Sequence, residues 1–163
     1  MTIRYSTVGI VGTGAMGRGI AQIAAQAGST VQLFDLNPEA CRQAHAAIAA
    51  QWDKLQDKGR IDAATADAYK TRLQTAASLG ELHNCDLVVE AAVERLDIKQ
   101  SLFAQLEDIV RPDAVLVTNT SSLSVTAIAA GLKRPAQFAG YHFFNPVPLM
   151  KVVEVIAGLK TDA

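Results

Sequence analysis

His142 and Glu154 bracket the run His-Phe-Phe-Asn-Pro-Val-Pro-Leu-Met-Lys-Val-Val-Glu, with Pro146 and Pro148 between them. An imidazole exchanges a proton near neutral pH, and a carboxylate on one ring nitrogen fixes the tautomer, so the pair can serve as a base and its orienter. The prolines turn the chain, which puts Glu154 on the strand after His142 and close enough to meet it. The plainer alternative is a core histidine satisfied within an apolar strand. The residues alone leave both readings open.

A second cluster suits phosphate chemistry. Gly12, Gly14 and Gly17 form G-x-G-x-x-G between a β-branched run and a helical pattern. In this motif the first glycine makes the tight turn, the second lets a pyrophosphate approach the main chain, and the third lets helix and strand pack closely. The helix start then offers free N–H groups and partial positive charge to the phosphates. Asp35 ends the next strand, near the expected ~20 residues beyond the loop, where a carboxylate bonds ribose hydroxyls and repels a 2′-phosphate. This favours NAD over NADP. The alternative is that Asp35 is a turn residue or a cap before Pro38. Arg18 reads as a solvated side chain.

Two further stretches follow strands. Asn119, Thr120, Ser121 and Ser122 can hold a small polar group beyond a strand end, or Ser122 or Ser124 can simply cap a helix. Glu90, Glu94 and Lys99 lie just past another strand. Glu94 could cap its helix and Lys99 could face solvent; alternatively they meet the nicotinamide ribose. His45 and His83, in polar contexts, read as structural.

These residues need a scaffold that gathers strand ends. Thr7–Val11, Val31–Phe34, Asp86–Ala91, Val115–Thr118, Phe138–Phe143 and Val152–Ile156 read as strands. Helical patterns cover Ala15–Gln26, closed by Gly28, and Glu39 into the fifties after Pro38, with Ile48, Trp52 and Leu55 on one stripe. Others cover Ala63–Leu73, Leu96–Val110 with Leu102, Phe103, Leu106 and Ile109 inward, and Ser124–Ala130. Strands alternating with helices predict an α/β fold: a Rossmann-like, doubly wound, mostly parallel sheet with helices on both faces. Gly158–Ala163 reads as the start of a linker.

Composition narrows the function classes. The chain has 163 residues, 50% hydrophobic, with 15 basic and 16 acidic side chains and a net charge of −1. That suits one folded domain and argues against a nucleic-acid partner. No apolar stretch reaches the ~18 residues of a membrane span. Met1 to Tyr5 lacks a signal-peptide pattern, and Cys41 and Cys85 lack metal-ligand spacing. The expectation is a cytoplasmic protein with reduced, structural cysteines and no metal.

The blocks G-T-G-A-M-G-R-G-I-A-Q, L-V-V-E-A-A-V-E, N-T-S-S-L-S-V-T and H-F-F-N-P-V-P-L-M-K-V-V-E, in this order, resemble the NAD-binding domain of the L-3-hydroxyacyl-CoA dehydrogenases, near the 3-hydroxybutyryl-CoA enzymes. The resemblance covers nearly the whole chain. It implies hydride transfer between NAD(H) and 3-hydroxyacyl- or 3-ketoacyl-CoA, as in fatty-acid β-oxidation. It implies that His142 is the general base, that Glu154 orients it, and that Ser121 and Asn145 hold the substrate oxygen or the nicotinamide side. It extends the cofactor set to Ala15, Met16, Ala92, Glu94, Lys99 and Asn119, and more weakly places Lys54 or Lys58 near CoA. It implies a further helical domain, absent from these 163 residues, that completes the substrate site and forms a homodimer. The domain alone is then expected to bind NAD with weak or no turnover. Two rivals are a sugar-acid dehydrogenase of the L-gulonate type and a non-catalytic NAD-binding module.

Overall fold

The computed structural model describes residues 5–162; Met1–Arg4 and Ala163, which enter the expectations for the amino-terminal segment and the tail, lie outside them. The strands are β1 (Thr7–Val11), β2 (Thr30–Phe34), β3 (Leu73–Thr75), β4 (Leu87–Glu90), β5 (Val115–Thr118), β6 (Phe138–Phe143) and β7 (Val153–Ala157). They form one sheet in the order β3-β2-β1-β4-β5-β6-β7, parallel except for β6 against β7. The helices are α1 (Ala15–Ala27), α2 (Pro38–Asp57), α3 (Ala63–Arg72), α4 (Leu96–Ile109) and α5 (Val125–Ala129).

The alternation of side chains along each strand explains the two-faced core. Val8, Ile10, Leu87, Val89 and Val117 share one cluster with Ile20, Ile48 and Trp52 of α1 and α2. Their neighbours Val11, Val88 and Leu116 join the opposite cluster with Phe103, Leu106 and Ile128 of α4 and α5. Both faces are covered, so the central strands are apolar at nearly every position. Each fully buried Leu, Ile or Val side chain contributes roughly 1.5–3 kcal/mol of transfer free energy.

Local chemistry sets the boundaries. Gly28 closes α1 at φ 109°, and the Asn37 side chain caps α2, accepting from the N–H groups of Glu39 and Ala40. Asp62 caps α3 and Ser124 caps α5, accepting from Thr65 and Ala127 respectively.

Three expectations need correction. The predicted helix over Ala63–Leu73 ends one residue early, because Leu73 opens the short strand β3 beside β2. A three-residue strand with one buried side chain carries too little pattern to stand out. The antiparallel β7 agrees with a mostly parallel sheet and with the proline turn, since the 144–152 connection lacks the helix that a parallel crossover needs. Ile109 is only half-buried, unlike Phe103 and Leu106. The tail is docked rather than linker-like: Gly158 N–H donates to Thr161 Oγ1, whose hydroxyl donates to Phe138 O, and Asp162 N–H donates to Ala136 O.

The two cysteines lie in the core. Burial, with a smaller contribution from the Asp86 charge, pushes the Cys85 thiol up to about 12, which suits a structural thiol. No helix among the described residues is long and apolar enough to cross a membrane, and no group of three His, Cys, Asp or Glu among them converges to hold a metal ion.

Candidate active site at the carboxyl edge of the sheet

β1, β4, β5 and β6 are parallel, so their carboxyl ends, and with them Gly12, Ala91, Asn119 and His142, fall on one edge. In open α/β sheets ligands bind beyond this edge. The glycine loop leaves β1 here and opens α1.

The three glycines have different reasons to be there. Gly12 sits at φ 96°, and a Cβ on it would lie 2.6 Å from Ala91 O. A Cβ on Gly17 would lie 1.9 Å from Gly12 O. Both positions are dictated by the protein's own packing. A Cβ on Gly14 would meet nothing within 4 Å, so no contact among the described residues demands glycine there. That is the expected signature of a ligand approaching the backbone. No acidic residue sits in the first turn of α1 to compete for its N–H groups.

A cleft of 880 Å³ opens beside this loop, lined by Gly12, Thr13, Gly14, Asp35, Ala92 and Val93 among others. Asp35 is tied to the loop: Oδ2 accepts from Thr13 N–H at 2.9 Å and Thr13 Oγ1 at 2.8 Å, and Oδ1 accepts from Asn37 N–H at 2.9 Å. Burial raises its carboxyl, but the bonds from Asn37 and Thr13 outweigh it and hold it below the usual value. Asp35 is thus a turn residue and an ionised group on the cleft wall at once, while the cap of α2 is Asn37. Next to it stand exposed Leu36 and Asn37. The open Gly14 position, the free first turn of α1 and the ionised Asp35 fit NAD.

A smaller cleft of 470 Å³ lies across α1, lined by Ala15, Gln51, Leu55, Asn145, Val147 and Leu149 among others. Met16 is partly buried and packs against the core cluster. Gly19 matters here: a Cβ on it would lie 2.7 Å from the Cβ of Val147, so its absence lets the proline turn approach α1. Lys54 and Lys58, at the end of α2, are exposed, and the described residues show no ion pair for either.

His142 and Glu154 are directly paired residues of β6 and β7, and His142 Nδ1 lies 2.9 Å from Glu154 Oε2. The imidazole is 23% exposed and the glutamate 57%. Nε2 is left for other chemistry. Phe144 packs edge-on against the imidazole at 4.7 Å. Neither cleft includes His142 in its wall, although Asn145, exposed on the following turn, lines the smaller one.

Behind this edge lies a buried polar network that sequence reasoning did not assemble. Glu90 is fully buried; Oε1 accepts from Lys99 Nζ and from Ala92 N–H, each at 2.6 Å, and Oε2 accepts from Thr118 Oγ1 at 2.7 Å. Lys99, 1% exposed, is not a solvated helix residue: its ammonium is spent on Glu90 and lies 3.9 Å from Glu94 Oε2. Glu94 does not cap α4; Arg95 occupies that position, and Glu94 accepts from the Thr120 hydroxyl. Asn119 Oδ1 accepts from Phe143 N–H at 2.9 Å. Ser121 is exposed on the loop that follows. Removing one partner of a buried pair such as Glu90–Lys99 costs about 3–5 kcal/mol. The signal that could have exposed it is the clustering of charge and hydroxyls at the ends of adjacent apolar strands.

Comparison with known proteins decides the family. Residues 7–163 match the model for "3-hydroxyacyl-CoA dehydrogenase, NAD binding domain". The chain belongs to this family. Among relatives of this domain, the 3-hydroxyadipyl-CoA dehydrogenase of Escherichia coli K12 is 46% identical over 163 residues, covering all of the chain but 34% of the relative. The probable 3-hydroxybutyryl-CoA dehydrogenase of Deinococcus radiodurans is 46% identical over 157 residues, covering 94% of the chain and 55% of the relative. The crystal structure of a 3-hydroxybutyryl-CoA dehydrogenase from E. coli K12 superposes with a TM-score of 0.96 at 45% identity, over 99% of this chain and 34% of that one. The domain therefore spans about a third to a half of the relatives' length.

Proposed function

We propose that this domain carries the NAD site and the proton-transferring base of a 3-hydroxyacyl-CoA dehydrogenase. The observation that carries the reading is the His142–Glu154 hydrogen bond at the sheet edge shared with the glycine loop. Dinucleotide binding alone has no use for such a pair.

NAD, when bound, supplies the hydride acceptor. The chain supplies the rest. Glu154 accepts Nδ1–H, which leaves Nε2 of His142 with its lone pair. Nε2 takes the proton from the 3-hydroxyl as C3 gives up its hydride, leaving a 3-ketoacyl thioester; in reduction the proton returns. Ser121 and Asn145 hold the reacting oxygen or the nicotinamide side. Asp35 receives the adenine ribose. The smaller cleft, with Gln51 and Leu55 in its wall and Lys58 at the end of the same helix, would accept part of the acyl-CoA.

The substrates are acyl-CoA thioesters, as the relatives' names say of those proteins. The relatives' additional length would hold the helical, dimer-forming domain that closes the site. The setting is the cytoplasm, supported by thiols that are buried and unpaired.

Titration with NADH, followed by fluorescence, tests the cofactor site; no binding at millimolar concentration overturns it. Acetoacetyl-CoA reduction is then measured with this chain and with a form extended to the length of the relatives. His142→Gln should lower kcat about 10²–10⁴-fold while leaving the Kd for NADH within a few-fold. Equal losses in both would remove His142 as the base. Turnover of L-gulonate with no activity on acetoacetyl-CoA would point to a sugar-acid enzyme.

A further inference from the structure

β7, which pairs with β6 at five positions, holds His142 on one side. All five of its residues are exposed, and it lies at the rim of the sheet. On the other side the parallel ladder between β5 and β6 stops at Thr118 opposite Gly140. His142, which carries the imidazole, and Phe143 thus run past the last register pair of that ladder.

One side chain continues that ladder. Asn119 follows Thr118 directly, and its Oδ1 accepts the Phe143 N–H at 2.9 Å. A peptide N–H requires an acceptor, so the carboxamide must present its oxygen here, with its N–H groups turned elsewhere. The base of Asn119 is itself fixed. Its N–H donates to Glu90 O at 2.8 Å, the Thr118 hydroxyl donates to Glu90 Oε2, and the Thr120 hydroxyl donates to Glu94. Glu90 in turn holds Lys99.

We infer that Asn119 is a positioning residue for His142: its carboxamide oxygen, braced by the buried Glu90–Lys99 network, pins the end of β6 to the parallel sheet and so fixes where the imidazole stands relative to the glycine loop. Glu154 sets the ring's tautomer, and Asn119 sets its place. The functional weight of this inference rests on the proposed role of His142, but the structural tie is testable without turnover. The inference also separates two uses of Asn119. A direct cofactor contact would use the carboxamide N–H groups; the positioning role uses the oxygen.

Asn119→Ala and Asn119→Asp distinguish these uses, because aspartate keeps an acceptor and loses the donors. Amide NMR of the 163-residue chain reads the tie directly. Asn119→Ala should remove the exchange protection of the Phe143 amide and broaden the signals of 141–143 and 153–155, with the rest of the spectrum unmoved. Asn119→Asp should restore them. In the form that turns over, Asn119→Ala should lower kcat about ten- to a hundred-fold, the scale of a small misplacement of reacting groups, with an unchanged Kd for NADH, and Asn119→Asp should recover most of it. Unaltered protection at Phe143 in Asn119→Ala overturns the inference whatever the activity. If Asn119→Ala does not fold, Asn119→Asp decides: a lost Phe143 signal, or weakened NADH binding with kcat intact, also overturns it. Should the unaltered protein fail to reduce acetoacetyl-CoA, the proposed function falls while the amide result still judges the tie.

Discussion

Glu154→Gln asks the most pointed question of this site, because it should separate stability from catalysis. The carboxylate meets His142 Nδ1 at 2.9 Å, but its side chain is 57% exposed and the imidazole 23%. An interaction so open to water contributes at most about 1 kcal/mol to folding. Glutamine keeps the shape and removes the charge. Its amide can rotate to donate to Nδ1, which drives the proton onto Nε2 and leaves no lone pair for the substrate hydroxyl. Loss of a positioned base lowers rate by about 10²–10⁴-fold, which corresponds to roughly 2.7–5.4 kcal/mol of barrier. The expected outcome is therefore a urea midpoint close to the parent's, an unchanged Kd for NADH, and kcat for 3-hydroxybutyryl-CoA oxidation lowered by at least two orders of magnitude. A kcat within about threefold of the parent would refute the orienting role. A Kd for NADH that rises in step with the loss of kcat would move Glu154 from proton transfer to cofactor binding.

The cofactor side supports two further predictions. Asp35→Ala should weaken NADH binding about tenfold, a change of ~1.4 kcal/mol, and narrow the preference over NADPH; titration with both cofactors checks this, and an unchanged ratio counts against the ribose contact. Because the folded carboxyl lies below its unfolded value, Asp35 stabilises the fold above about pH 4 and ceases to do so as pH falls through the lower folded value. The difference in urea midpoint between parent and Asp35→Ala should accordingly shrink on acidification below that point, and a difference that grows there would contradict the sign. Gly14→Ala and Gly17→Ala should fail in different ways. The first leaves thermal unfolding unchanged and weakens NADH binding, since its methyl meets no protein atom; the second, whose methyl would strike Gly12 O, lowers the melting temperature in the absence of cofactor. Calorimetry with and without NADH separates the two.

The parts of this molecule legible in its sequence are those where one residue type has one physical reason. Buried parallel strands announce themselves as apolar runs, and Gly28 and Pro38 punctuate the helices as their backbone chemistry requires. The glycine loop is visible, but not that Gly12 and Gly17 answer to packing while Gly14 answers to space. Lys99 shows the limit most clearly. A lysine early in an amphipathic helix reads as solvated, and only the approach of Glu90 from a neighbouring strand makes its burial tolerable. Thr13 and Thr118 stay hidden for the same reason, with partners 22 and 28 residues distant in the chain, and Thr120 shows its hydroxyl but not its partner Glu94, 26 residues away. His142 and Glu154 were readable as a pair because a short turn separates them, so local geometry nearly determines the contact.

The placement of Glu154 on β7 carries a consequence for durability. A rim strand with exposed side chains opens at a lower free energy than the whole fold, even with the tail beyond it docked on Phe138 and Ala136. As mild heat or denaturant frays that ribbon, the imidazole loses its carboxylate while the interior of the sheet and the dinucleotide cleft remain intact. Such a protein would go on capturing its coenzyme after it had stopped moving protons.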